Sequence, residues 1–212
     1  MLMGILESLK MMSVSEWVGT VFGVAGVYLT SKRTVWCWPI WIVSIVAYGI
    51  FFTDIKLYAD ACLQLFFLVT SAIAWVSWSR EMRLQASRVS APGRDQNELS
   101  IVWSDPRERM WVLVLTVVSS AMIGFVFDRF TDAHVPYWDA GCAGISVAAQ
   151  ILMMKRRVDS WVLWTFVDFV YVALYITKEA YLTATLYAIF TVVAMAALRE
   201  WQCVYRRQRA GN

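Results

Sequence analysis

Seven apolar stretches, separated by short polar or charged segments, divide the chain at roughly 16–31, 35–53, 57–79, 110–127, 138–154, 158–176 and 180–200. Each is close to the ~17–25 residues that a helix needs to cross a bilayer, so the pattern predicts an all-α polytopic membrane protein with seven transmembrane helices. The pattern also repeats. A shift of 123 residues lays Lys32-Arg33 on Lys155-Arg156, Trp38 on Trp161, Trp41 on Trp164, Tyr48 on Tyr171, Tyr58 on Tyr181 and Trp78 on Trp201 without a gap. Rare residue types matched at a constant offset mark a duplication, not a shared composition. The spans therefore group as two three-helix repeats, 16–79 and 138–201, joined by a linker helix at 110–127. Three crossings leave the chain on the far side and a fourth restores the starting direction, so the two repeats run parallel.

Composition supports a bilayer as solvent, since 59% of residues are hydrophobic and only 17% charged. Charge then sets the orientation. If the connections after spans 1, 3 and 5 and the C-terminal tail face the cytoplasm, they hold fifteen of the nineteen basic residues, and Lys10, Lys56, Arg129 and Lys178 lie opposite. The positive-inside rule thus predicts an external N-terminus and a cytoplasmic C-terminus; the expected location is the inner (cytoplasmic) membrane of the cell, as a multi-pass protein. On this distribution the net charge of +3 is a topology signal, and no nucleic-acid partner is expected.

Residues 1–15 carry Glu7 and Lys10 in a short amphipathic stretch without a small-residue cleavage site, which predicts a segment lying along the outer interface. Residues 80–109, with Ala91-Pro92-Gly93, read as a mobile cytoplasmic loop, and 202–212 as a basic cytoplasmic tail. Cys37, Cys62, Cys142 and Cys203 have no metal-like or disulfide-like spacing and are expected to be small buried packing residues. His134, the lone histidine, lies in the outer loop before span 5 with no partner for a metal site or relay. Gly19 with Gly23, and Cys142 with Ser146, stand four apart in spans 1 and 5, an interval that lets helix backbones approach closely.

Candidate chemistry concentrates in span 6. Trp161, Trp164, Asp168, Tyr171 and Tyr175 recur at intervals of three and four and form one helical stripe. A carboxylate near mid-span costs about 2.5–3.5 kcal/mol on insertion scales and marks a polar pathway or a partner. No lysine or arginine lies at that depth in any span. An acid flanked by indoles suits a cationic, aromatic ligand: the carboxylate opposes its charge and the rings stack on its faces. Span 3 places Asp60, Gln64, Phe67, Ser71 and Trp78 on one face, and span 7 presents Thr183, Tyr187 and Thr191. Gln64 supplies a donor and an acceptor for hydroxyls or a carboxamide, although an interhelical hydrogen bond would use it equally well. Span 2 carries the matching stripe Trp38, Trp41, Ser44 and Tyr48 but has Ile45 where span 6 has Asp168, so the pseudo-symmetric path is chemically lopsided.

No nucleophile with a base, metal cluster or phosphate-binding loop is present, which predicts no catalytic residue, no metal and no cofactor. A small-molecule substrate and the lipid bilayer are the expected partners. A structural scaffold would account for the duplication but not for Asp168.

Trp161-Val162-Leu163-Trp164 followed by Asp168, then Tyr181-Leu182-Thr183-Ala184, Leu186-Tyr187 and Arg199-Glu200-Trp201, resembles the nicotinamide riboside transporter (PnuC) family. Leu57-Tyr58-Ala59-Asp60, Leu63-Gln64 and Pro136-Tyr137-Trp138-Asp139 add to the likeness, which extends from about Glu16 to Trp201. The resemblance implies two parallel three-helix units related to SWEET sugar transporters, moving vitamin-like substrates by facilitated diffusion. It places the substrate at Trp161, Trp164 and Asp168 with Gln64, to which the stripes above add Tyr187, Asp60 and Trp41. Relatives are associated with thiamine, riboflavin or deoxynucleosides, and a carboxylate favours the cations, nicotinamide riboside or thiamine. Proton coupling through Asp168, homo-oligomerisation and a cytoplasmic trapping kinase are left open by the sequence.

Overall fold

Local chemistry sets the helix starts. Ser13 accepts a hydrogen bond from the Glu16 amide at 3.1 Å, which caps the first helix. Asp105 does the same for Glu108 at 2.7 Å, immediately ahead of Pro106, whose ring suits a first helical position. In the computed structural model, residues 12–54, 58–88, 99–130, 136–177 and 181–210 are described. They form seven helices: α1 Val14–Ser31, α2 Cys37–Asp54, α3 Tyr58–Arg88, α4 Pro106–Phe130, α5 Pro136–Met154, α6 Asp159–Thr177 and α7 Tyr181–Ala210. Five of these, α2, α3, α4, α6 and α7, are long and apolar enough to cross a membrane. The apolar part of α5, Ala140–Met154, is shorter, and α1 is diluted by Glu16 and three glycines.

Six helices close a ring. Neighbours in it are α1 and α2, α2 and α3, α3 and α5, α5 and α6, α6 and α7, and α7 back to α1. The seam contacts α3 with α5 and α7 with α1 exchange under the 123-residue shift, so the ring carries the duplication as a pseudo-twofold. Outside it, α4 lies along α5, with Ser120 and Thr116 fitted against Gly144. Met110, Trp111, Leu113, Val117, Met122 and Phe125 of α4 are exposed, as an apolar face turned to lipid would be.

The core sits at the end of the ring that holds the basic turns. Trp38 meets Trp78 edge-to-face at 5.1 Å, and the equivalent pair Trp161 and Trp201 does so at 5.7 Å. Each second tryptophan reaches across the seam: the Trp78 indole donates to the Met154 carbonyl at 2.9 Å and the Trp201 indole to the Ser31 carbonyl at 3.1 Å. Ser31 and Met154 are themselves related by the shift, so the two repeats latch onto each other reciprocally. The turns that follow α1 and α5 also match, with Arg33 and Arg156 both at φ 58°.

Several expectations meet a different outcome. The polar connection is narrower than 80–109, because α3 runs to Arg88. Its last part is packed and hydrogen-bonded instead of mobile. Leu99 and Ile101 are buried, Gln208 of α7 bonds both the Ile101 amide and the Leu99 carbonyl, and Val102 bridges to Arg157. Of the cysteines, Cys37 and Cys142 are buried as expected, but Cys62 and Cys203 are exposed. The amphipathic segment before Met12, the Ala91-Pro92-Gly93 stretch and His134 lie outside the described residues.

Candidate substrate site

Asp168 is buried on α6, one turn past Trp164. No ion pair reaches it among the described residues. Around it the aromatic rings converge. Tyr187 of α7 stacks on Tyr175 at 5.4 Å and lies 4.8 Å from Tyr171, and Asp168 and Tyr48 are both within electrostatic range of it. Phe190, one turn along α7, meets the edge of Tyr187 at 6.1 Å. Phe67 of α3 approaches Trp164 of α6 at 6.3 Å. Helices α3 and α6 are not neighbours in the ring, so this last contact crosses its interior and marks where the two repeats face each other. The sequence pattern that produces this convergence is simple: α6 and α7 both present rings at three- and four-residue spacing on the faces they turn inward.

The structure therefore brings together Asp168, Trp164 and Tyr187 and adds Tyr48, Phe67, Tyr171, Tyr175 and Phe190. It places the other expected site residues elsewhere. Trp161 is in the tryptophan core against Trp201, almost fully buried at 2% exposure. Trp41 donates its indole N–H to the Thr30 hydroxyl at 3.0 Å and packs on Gly26, where a Cβ would stand 2.9 Å from the ring. Its repeat equivalent Trp164 has Met153 where Trp41 has Thr30, which removes that acceptor. Gln64 lines a cleft of about 370 Å³ between α2 and α3, with Ile45, Gly49 and Thr53. Asp60 is half-buried in the first turn of α3.

Gln150 is a polar residue that periodicity did not single out. Buried on α5, it points its amide at the Ser71 and Thr70 hydroxyls of α3, at 3.3 and 3.4 Å, and so places hydrogen-bonding groups on the α3–α5 seam. The available signal was an amide in the middle of an otherwise apolar span. Tyr48 acts electrostatically on Tyr187 and is held against α1: its hydroxyl shares a hydrogen bond with the Thr20 hydroxyl at 2.8 Å, and its ring covers Gly19, where a Cβ would stand 2.8 Å away. Among the described residues no three metal-ligating side chains come together.

A ring of duplicated membrane helices with a buried acid and stacked aromatic rings has the architecture of a membrane transporter. The family model described as nicotinamide mononucleotide transporter matches residues 13–203, and the chain belongs to that family. It is similar to the nicotinamide riboside transporter PnuC of Escherichia coli (strain K12), at 27% identity over 88% of this chain and 84% of the relative. It is also similar to the riboflavin/roseoflavin transporter RibM of Streptomyces davaonensis, at 23% identity over 91% and 86%. The crystal structure of the vitamin B3 transporter PnuC has the same fold, with a TM-score of 0.71 at 18% identity over 90% of this chain and 81% of that one.

Proposed function

We propose that the protein takes up nicotinamide riboside across the inner membrane by facilitated diffusion, with the substrate held at mid-membrane between the two repeats. The observation that carries this reading is Asp168, a buried acid without an ion-pair partner among the described residues, set among Trp164, Tyr171, Tyr175 and Tyr187. The pyridinium of nicotinamide riboside is a flat cation, and a carboxylate beside aromatic faces matches both properties. The relatives named as nicotinamide riboside transporters support the same substrate. Trp164, Asp168 and Tyr187 form the binding centre in this reading. Trp161 supports it from the core, and Gln64, Asp60 and Trp41 line the approach from the first repeat.

The membrane arrangement that accompanies it is three helices, a linker helix and three helices, with the N-terminus outside and the C-terminus in the cytoplasm. The ion pairs of Lys32 and Arg33 with Glu200, of Lys155 and Arg157 with Glu108, and of Arg109 with Asp159 support it. They join the basic turns, α4 and α7 at one end of the ring, the end that the positive-inside rule assigns to the cytoplasm. Transport then alternates access to the central site by movement of one repeat against the other.

Calorimetric titration of the purified protein with nicotinamide riboside, thiamine and riboflavin tests the substrate. Nicotinamide riboside is expected to bind most tightly. Tight riboflavin binding with no response to either cation would defeat the charge argument.

A further inference from the structure

The pseudo-twofold is broken at the cytoplasmic end in a way that the transport reading does not use. In the turn after α1, Arg33 places Nη1 3.4 Å from Oε1 of Glu200 on α7, and Lys32 places Nζ 3.0 Å from its Oε2. Shifting by 123 residues, the equivalent turn after α5 carries Lys155 and Arg156, and the position of Glu200 is occupied on α3 by Ser77. That position therefore carries a hydroxyl in place of the carboxylate. A cavity of about 440 Å³ opens instead, lined by Ile73, Ser77, Met154, Lys155, Arg156 and Arg157.

Arg156 lines this cavity, and its Nε and Nη1 atoms are buried and make no hydrogen bond among the described residues. The neighbouring cations are otherwise occupied, since Lys155 and Arg157 both pair with Glu108 of α4 at 3.2 and 2.8 Å. Glu81, one turn beyond Ser77 on α3, acts on Arg156 electrostatically but forms no hydrogen bond or ion pair with it. Burial pushes the Arg156 guanidinium below its ordinary pKa, with Glu81 opposing the shift and the neighbouring Arg157 charge adding to it. Arg33 and Arg156 both sit at φ 58°, a left-handed conformation that glycine adopts more cheaply. The Arg33 guanidinium is bound by Glu200; that of Arg156 has no such partner among the described residues.

We infer that the cavity between α3 and the α5–α6 turn binds a phosphate group, which takes at Arg156 and Ser77 the place that the Glu200 carboxylate takes beside Arg33. Guanidinium N–H groups bind phosphate in the same planar geometry as carboxylate, and the Ser77 hydroxyl adds a donor. Two sources share this chemistry: the headgroup of an anionic phospholipid and a soluble phosphate ester. Ile73, which lines the cavity, is exposed on α3, and basic pockets between helices at the cytoplasmic surface suit lipid headgroups.

The site is tested on the full chain in nanodiscs by thermal unfolding. Phosphatidylglycerol in place of phosphatidylcholine, or inorganic phosphate added to phosphatidylcholine discs, is expected to raise the parent's unfolding temperature by about 5 °C at saturation. A response to phosphatidylglycerol alone assigns the site to lipid, and a response to phosphate alone to a soluble ester. Ser77→Glu supplies internally the carboxylate that the other half already has, and is expected to abolish the shift. Arg156→Gln, which removes the charge at similar length, is expected to abolish it as well. A shift of equal size in the parent and both variants, or none with either probe, overturns the site. Nicotinamide riboside binding, titrated on the same variants, is expected to be unchanged, so this inference and the substrate assignment fail separately.

Discussion

At the scale of single residues, the site turns on what Asp168 does with its charge. An amide is less costly to bury than a carboxylate, so Asp168→Asn is expected to fold and to retain the aromatic surroundings. Its affinity for nicotinamide riboside should fall by about tenfold or more, ~1.4 kcal/mol, through loss of the Coulomb attraction. Titration calorimetry on the variant reads this directly, and undiminished affinity would make Asp168 a structural residue. Trp164→Ala removes a stacking face irrespective of charge and should weaken nicotinamide riboside, thiamine and riboflavin alike by roughly 1–3 kcal/mol. Trp41→Ala should lose less, because the Trp41 indole is tied to Thr30 and packed on Gly26. Equal losses in fluorescence-monitored titrations of the two variants would remove the asymmetry proposed for the site. Asp168 and Trp164 stand out in the sequence because an acid in mid-span is costly and the stripe has helical period; their contact with substrate is the proposal that these variants test. The position of Trp161 was not legible there, since Trp161 and Trp164 share that stripe, and only the tertiary contact with Trp201 separates a core indole from one facing Phe67. Gln150 escaped notice for a related reason: its partners Thr70 and Ser71 are on a helix 80 residues away in the chain, as judged from Thr70.

Between helices, close approach depends on residues without side chains. A Cβ on Gly144 would lie 2.8 Å from the Ser120 backbone nitrogen and 2.9 Å from the Thr116 carbonyl oxygen, and backbone atoms cannot turn aside as a side chain does. Gly144→Ala should therefore push α4 away from α5 and cost about 1–3 kcal/mol. Gly141→Ala, three residues earlier on the same helix with nothing within 4 Å, should cost nothing and gain slightly from helix propensity. Thermal unfolding of the two variants side by side checks the contact, and equal melting temperatures would argue against this seating of α4. The repeat made the fold legible at this scale: equal offsets for Trp38, Trp78, Trp161 and Trp201 imply equivalent helices, and the edge-to-face contacts of the two pairs agree. The segment from Leu99 to Ser104 was hidden. It is too short for a helical or strand period to register, and what orders it is Gln208 on α7 and Val102 against Arg157, contacts remote in sequence.

For the molecule as a whole, the seams decide how it can move. The α3–α5 and α7–α1 contacts are each closed at the basic end by a tryptophan hydrogen bond, Trp78 to Met154 and Trp201 to Ser31. Farther along the ring, the interior between the repeats is spanned by Phe67 against Trp164, an aromatic contact that a flat substrate could replace by stacking. A ring pinned at one end and held by replaceable stacking within it has the parts needed for one repeat to rock against the other. Nothing in the sequence supplies a nucleotide-binding loop to drive that motion. Transport should therefore equilibrate its substrate. In liposomes containing the purified protein and buffer alone, labelled nicotinamide riboside is expected to enter until the internal and external concentrations match, at a rate insensitive to proton ionophores. Preloading with unlabelled substrate should accelerate entry of label by exchange, because the loaded carrier returns through the same alternating step. Accumulation above the external concentration that collapses on adding an ionophore would instead establish proton coupling, with Asp168 as the buried carboxylate positioned to carry the proton.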